Sequence, residues 1–192
     1  STQRRSSAAA DVYKRQGQLF EVLPKLGELS PSIHGTATYD NFRFVRQWWE
    51  VGLSSISRSS RSWSDFELSK RGYVPYMKGG SFRRWYGNQE FVLQLGDKGY
   101  LLIQFLDEHR DSIRGRDHAF HEGITYSFLT SSTFSARVSP GGFLFDVAGS
   151  SLFPSDVPLT LALLNSRFAA YVLRLVNPTV NFQVGDLGRI PV

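Results

Sequence analysis

The chain has 192 residues, 41% hydrophobic and 14% aromatic, no cysteine and a formal net charge of +5. This length and apolar content exclude global disorder and bound the chain to one domain, or one domain with an appendage. The lack of cysteine excludes a disulfide framework or thiolate metal site and fits a cytoplasmic location; no apolar run approaches the roughly 20 residues of a membrane span.

Residues 1–16, STQRRSSAAADVYKRQ, carry Arg4, Arg5, Lys14 and Arg15 against Asp11, so they supply +3 of the +5 and leave +2 for the rest. With no apolar periodicity and no hydrophobic signal region, they read as a disordered or non-native leader outside the fold. Residues 17–192 read as a single α+β region that opens with a short apolar turn over 19–29. In HGTATYDNFRFVRQWWEV, residues 34–51, Asp40-Asn41 is a turn or cap signal. Arg43 and Arg46 lie among rings there, and a stretch this rich in Phe and Trp is expected to be core. The serine-rich segment 52–65 is expected to be a loop.

The segment 72–88, GYVPYMKGGSFRRWYGN, sets Tyr73, Tyr76, Phe82, Trp85 and Tyr86 among Lys78, Arg83 and Arg84 with no acid. The acid-free window runs from 68 to 89 and adds Lys70 and Arg71. Cations neutralise phosphates, guanidinium forks read base edges or stack, and glycines let backbone N–H groups approach an anion. A solvated hairpin with half-buried rings is the plainer alternative. If 83–86 is extended, Arg83 and Trp85 share one face and Arg84 and Tyr86 the other. Trp85 is then the core member, Arg84 and Tyr86 point outward near Lys78, and a buried Arg83 pairs with Asp40 or Glu50. The candidate DNA-binding residues are Arg43, Arg46, Lys70, Arg71, Lys78, Arg83, Arg84, Tyr86, Asn88 and Arg137.

Residues 90–95 alternate as a strand, 96–99 form a turn, and 100–106 read as the partner strand, with a helix continuing into 107–113 as the alternative. Short strands follow over 123–128, 133–138 and 142–147, separated by turns at 130–132 and 140–141. Residues 155–177 read as one long helix capped by Ser155 or Asp156, with Pro158 in its first turn and Pro178 stopping it. Its apolar stripe is Leu161, Leu164, Phe168, Tyr171, Val172 and Leu175. The tail, VNFQVGDLGRIPV, reads as a strand and turn. The fold class is therefore α+β: mostly short antiparallel strands, with an amphipathic C-terminal helix over about residues 156–176 packed on them.

Candidate catalytic chemistry is sparse. His118, His121 and Glu122 have the wrong spacing for a zinc helix, and no metal is expected. Asn177-Pro178-Thr179-Val180 lacks the second proline and aromatic ring of an amino-methyltransferase loop, so it reads as a helix stop. Neither Gly79-Gly80 nor Gly141-Gly142 opens a cofactor-binding βαβ unit.

The phrases TYDNFRFVRQWWEV, YVPYMKGGSFRRWYGN, FHEGITYSF, FSARVSPGGFLFDVAG and LALLNSRFAAYVLRLVNPTVNFQVGDLGRIP resemble, in consistent order over residues 34–192, one family. It is the C-terminal half of large adenine-specific DNA methyltransferases of the BREX phage-defence type, PglX, with type IIG restriction-modification enzymes related. Leu164-Asn165-Ser166 with Gln183 and Ile190-Pro191 also resembles the end of target-recognition domains in type I specificity subunits. Two departures stand out: Thr38-Tyr39-Asp40-Asn41 where the family has Thr-Gly-Asp-Asn, and Met77 where it has Asn. The resemblance implies an incomplete target-recognition region binding double-stranded DNA, with other defence-system subunits as further partners and no membrane. Catalysis and S-adenosylmethionine binding are implied for an upstream domain of the parent enzyme, leaving this chain no cofactor of its own. The alternative is a non-catalytic module for another ligand, such as carbohydrate, using exposed aromatics.

Overall fold

A computed structural model describes residues 22–129, 133–179 and 181–192; the leader 1–16, the start of the 19–29 turn, the turn at 130–132 and Val180 lie outside the described residues. The strands are β1 (Ser32–Ile33), β2 (Val45–Gln47), β3 (Tyr73–Met77), β4 (Phe91–Gln94), β5 (Gly123–Tyr126), β6 (Ala136–Ser139), β7 (Leu144–Phe145) and β8 (Ser151–Leu152). The α-helices are α1 (Leu26–Leu29), α2 (Asn41–Phe44), α3 (Trp63–Ser69), α4 (Tyr100–Glu108), α5 (Val157–Leu164), α6 (Arg167–Val176) and α7 (Val184–Leu187). The strands make two sheets, ordered β1-β8-β5-β6 and β2-β4-β3-β7, antiparallel except for the β3–β7 pair. The α+β class with short, mostly antiparallel strands holds. Among the described residues no single helix is long and apolar enough to cross a membrane.

Each sheet buries one face under helices, as the period of two dictates. In the first, Ile124 pairs with Val138 and Tyr126 with Ala136, and these pack with Leu161, Leu164, Ala169, Val172 and Leu173 of α5 and α6. Thr125 and Arg137, paired in the same ladder, point the other way. In the second sheet, Val74, Tyr76 and Leu93 pack with Phe44, Phe66, Leu102 and Leu106.

Four expectations give way. Residues 100–106 are not a strand but the first part of α4, burying Leu102 and Leu106 at helical spacing. A short apolar run does not distinguish a strand from a buried helix, and the polar continuation supplied the length for a helix. The segment 142–147 keeps a strand only at β7, which pairs in parallel with β3 in the other sheet where antiparallel pairing was expected.

The long C-terminal helix is two helices, bent by 63° between α5 and α6. The break is made by Asn165, whose Oδ1 accepts the Ala136 N–H at 3.1 Å and whose Nδ2 donates to the Ala136 carbonyl at 2.9 Å. Ser166 then caps α6, its Oγ accepting from Ala169 N at 3.1 Å. The bend shifts the phase of the apolar stripe. Leu161, Leu164 and Val172 are buried, whereas Phe168, Tyr171 and Leu175 are exposed and α6 instead buries Ala169 and Leu173. In the tail, α7 replaces the expected strand, and an isolated bridge joins Pro191 to Lys25.

The sheets meet where the chain passes from β7 to β8. Asp146, 4% exposed, accepts from the Tyr76 hydroxyl at 2.8 Å, from Lys78 Nζ at 3.0 Å and from Ala148 N at 2.7 Å. Burial first, then the charge and hydrogen bond of Asp146, hold the Tyr76 phenol well above its ordinary pKa.

Two outcomes follow from these contacts. Asn165→Ala leaves the Ala136 N–H buried without a partner and should cost about 1–3 kcal/mol in denaturant unfolding. Burial pushes the Tyr126 phenol from 10.0 up to about 12, with Asp186 adding to the rise and hydrogen bonds from Ser32 and Ser150 opposing it. A folded pKa above the unfolded one means stability intact below about pH 10 and lost as pH rises through the folded value. Urea midpoints measured between pH 9 and 12 (roughly the span of that shift) should fall in the wild type and fall less in Tyr126→Phe.

Candidate nucleic-acid interface

The basic-aromatic segment divides into a buried strand and an exposed loop. β3 is interior from Val74 to Met77. Past it the chain turns at Gly79 and Gly80, with φ of 79° and 110°. A Cβ on Gly79 would lie 2.5 Å from the Ala148 carbonyl oxygen, so the turn requires glycine. Residues 80–86 are then exposed, down to the buried Asn88, whose Nδ2 donates to the Ser81 carbonyl at 2.8 Å and ties the loop's two ends together.

The middle of the loop is fixed by the backbone of Trp85. Its N–H donates to Ala136 O at 3.0 Å, and its carbonyl accepts from Val138 N at 3.0 Å. β6 is an edge strand, so Trp85 on one side, together with the Asn165 amide, satisfies backbone groups that would otherwise be open. This overturns the two-faced strand expected over 83–86. Trp85 sits at φ 72°, which breaks the alternation, and its ring is 52% exposed beside a 67% exposed Tyr86. The fold uses the backbone of Trp85 and leaves its ring outside. Arg83 is exposed as well, so it needs neither Asp40 nor Glu50 as a partner. Those acids cap Arg43 N and Gln47 N. Arg84 stacks over Phe82, 5.4 Å from the ring centroid.

The loop thus presents Phe82, Arg83, Arg84, Trp85 and Tyr86 outward, and neither arginine belongs to the two ion pairs among the described residues, Lys78–Asp146 and Arg114–Asp111. At the exit of β3 a shallow groove brings Lys78 together with Asn41, Phe42, Arg46 and Phe91. Lys78 donates to Asn41 Oδ1 at 2.8 Å as well as to Asp146, while Arg46 bonds the Phe42 and Val45 carbonyls. The ring-rich stretch 42–49 is mostly outside: Phe44 is buried, but Phe42 is 91% exposed, and Trp48 and Trp49 are exposed too. With α2 only one turn long, one aromatic in that stretch reaches the second core.

The remaining candidates scatter. Lys70 and Arg71 lie at the opposite end of β3 from Lys78; Lys70 ends α3 in a left-handed conformation, and Arg71 donates to the Ile56 carbonyl at 2.6 Å. Arg43 is exposed, with its guanidinium over Phe44 and Phe105. Arg137 is not on the surface at all: it is 0% exposed, under the loop. Its Nη1 donates to Ser127 Oγ at 3.3 Å, and Ser127 in turn donates to the Gly80 carbonyl at 2.8 Å. Nε and Nη2 are buried without partners. Burial pushes the guanidinium pKa from 12.5 down to about 10, with the Glu90 charge opposing. Strand parity decided this, because the face of β6 away from the helices is covered by the 80–88 loop.

Gly142 is pressed against the Arg58 carbonyl, where a Cβ would lie 2.8 Å away. The His118 and His121 rings are 6.4 Å apart, and among the described residues no three His, Asp or Glu side chains form a metal-type group. Asn177 ends α6, its Nδ2 donating to Asn181 O at 2.7 Å and Asp186 Oδ2 at 2.6 Å. Tyr39, in the Thr-Tyr-Asp-Asn phrase, adopts φ 55°, a conformation that favours glycine, and is held by donation to Asp111 at 2.7 Å.

A buried cation with two unpaired donors is a cost to folding. Arg137→Met should therefore raise stability by about 1–4 kcal/mol in chemical denaturation; a loss of stability would show that those donors are satisfied in solution.

No protein-family model matches the chain. Among curated proteins it is 36% identical over 175 residues to the adenine-specific methyltransferase PglX of Lacticaseibacillus casei (strain Zhang). It is 32% identical over 179 residues to the adenine-specific methyltransferase BrxX of Escherichia coli O9:H4 (strain HS). The matches cover 88% and 90% of this chain, but the chain spans only 14% of the length of either relative. Over most of its length, then, the chain is homologous to one segment of the PglX and BrxX adenine-specific methyltransferases and belongs with that family.

Proposed function

We propose that this chain is the DNA-binding, target-recognition part of a site-specific adenine-N6 DNA methyltransferase of a phage-defence system. The observation that carries the reading is the 80–88 loop, pinned at both ends and in the middle, with two exposed arginines and three exposed rings. A fixed backbone presenting exposed cations suits a phosphate track, because little further ordering is needed on binding. Arg83 and Arg84 contact phosphates, and Phe82, Trp85 and Tyr86 pack on sugars or base edges. Arg46 and Lys78 extend the positive surface into the groove, and Arg43 and Lys70 are outlying cations. Arg71, Asn88 and Arg137 shape the surface from within.

Kinship with adenine-specific methyltransferases supports this reading. In the longer enzyme, S-adenosylmethionine supplies the methyl group. One glycine of each pair, Gly79 and Gly142, is pressed against a backbone carbonyl, so neither pair supplies a ready cradle for that cofactor. The part assigned to this chain is to hold and read the duplex, and methyl transfer belongs elsewhere in the enzyme.

Fluorescence anisotropy with a labelled duplex at low and physiological salt tests the reading. Non-specific binding is expected with a dissociation constant of roughly 10⁻⁴ to 10⁻⁶ M, falling steeply with salt. Replacing both Arg83 and Arg84 by Ala should weaken binding to all sequences and reduce the salt slope by about two, with the melting temperature unchanged. Salt-independent binding, or none by the folded chain at low salt, overturns the reading; the second outcome is also what a carbohydrate-type module would give.

A further inference from the structure

A cavity of about 450 Å³ lies beside the groove, on the side of the second sheet away from its helices. Pro75 and Val92, cross-strand partners on β3 and β4, line it together with the rings of Trp48, Phe91 and Phe143. This volume falls within the range of small-ligand sites, roughly 300–1,000 Å³. Two polar side chains interrupt the apolar lining. Gln89 is one of the lining residues, and its amide nitrogen is buried without a hydrogen-bond partner. Arg58 is exposed and belongs to neither ion pair among the described residues. Phe91 is a common wall with the groove, so Arg46 and Lys78 lie just beyond the cavity. Glu50, the acid in that groove, is already accepting from Gln47 N at 2.7 Å.

We propose that this cavity takes one unstacked nucleobase of a DNA strand, an inference that rests on the reading of the chain as a DNA-binding segment. The aromatic walls match the faces of a flat heterocycle, and stacking of this kind tolerates any base. The Gln89 amide donates to an acceptor on the base edge, and every base has one. Arg58 on the lining and Arg46 beyond Phe91 neutralise the flanking phosphates. A hydrophobic peptide would make no use of the buried donor or the cations, and an acidic one would make no use of the rings. The lining contains no acid, histidine or nucleophile, so the pocket holds a base and does no chemistry on it.

The test compares two single strands, an oligoadenylate and the same backbone with abasic sites, by anisotropy on the full chain. The base-bearing strand should bind roughly tenfold more tightly, a stacked base contributing about that factor. Gln89→Leu, which keeps the side-chain volume, and Trp48→Ala, at a half-exposed ring, should each remove most of the preference. Both should leave the salt-dependent duplex binding by the 80–88 loop intact. Equal affinity for the two strands, with duplex binding retained, overturns the pocket and leaves the DNA reading standing. Loss of binding to every nucleic acid overturns both. The wild-type comparison stands even if a variant fails to fold.

Discussion

The buried carboxylate of Asp146 is the contact on which the two sheets depend. A carboxylate so removed from water is tolerated only when its oxygens are fully engaged. Tyr76, Lys78 and the Ala148 N–H engage them, while the Asp146 N–H donates to Met77 O at 2.8 Å. The Tyr76 hydroxyl also lies 2.7 Å from the Thr36 carbonyl, so that carbonyl shares the hydroxyl's one proton with Asp146 and draws the segment after β1 into the same knot. The backbones come this close because of glycine: a Cβ on Gly149 would lie 2.5 Å from the Met77 oxygen. One acid thus joins the sheet that holds β3 and β7 to the strand that leaves for β8.

That junction sets the surface. It fixes the end of β3, so the 80–88 loop starts from a rigid stem, and Lys78 is held beside Asn41 at the head of the groove. The loop then closes the free edge of β6, for which the backbone of Trp85 suffices. Edge protection and the outward display of side chains are in this way met by the same residues. The backbone of 80–88 serves the fold, and its side chains are left for solvent or a partner. Arg137 shows the converse: a cation on the covered face of the same edge strand is buried by the loop that keeps Arg83 and Arg84 outside.

Periodicity read locally served where the structure is local. The alternation around Phe91–Gln94 is a strand, the 96–99 turn is present, and Pro158 stands in the first turn of a helix whose cap is Asp156. It failed where a distant partner intervened. Asn165-Ser166 is a weak cap signal inside an apolar run, and what fixes the break there is an amide bonded to a strand 29 positions earlier in the chain. Trp85 looked like core because it is large and apolar, yet the bond that places it is a backbone one, which composition cannot reveal. The cavity lining was missed for the same reason. Trp48, Pro75, Gln89 and Phe143 come from four separate stretches, and Gln89 carries no sequence signal beyond its neighbours.

The sequence by itself determined the class of fold, the strand and turn around 90–99, the family kinship, and the segment in which rings and cations concentrate. These depend on residue order and on contacts within a few positions. Tertiary structure decided which sheet β7 joins, that the last long helix is two, and which of ten candidate side chains face solvent. The physical reason is that exposure and strand pairing depend on what covers a residue from elsewhere. For Trp85, Arg137 and Asn165 that cover lies across the β6 edge, between chain segments roughly 30 to 50 residues apart.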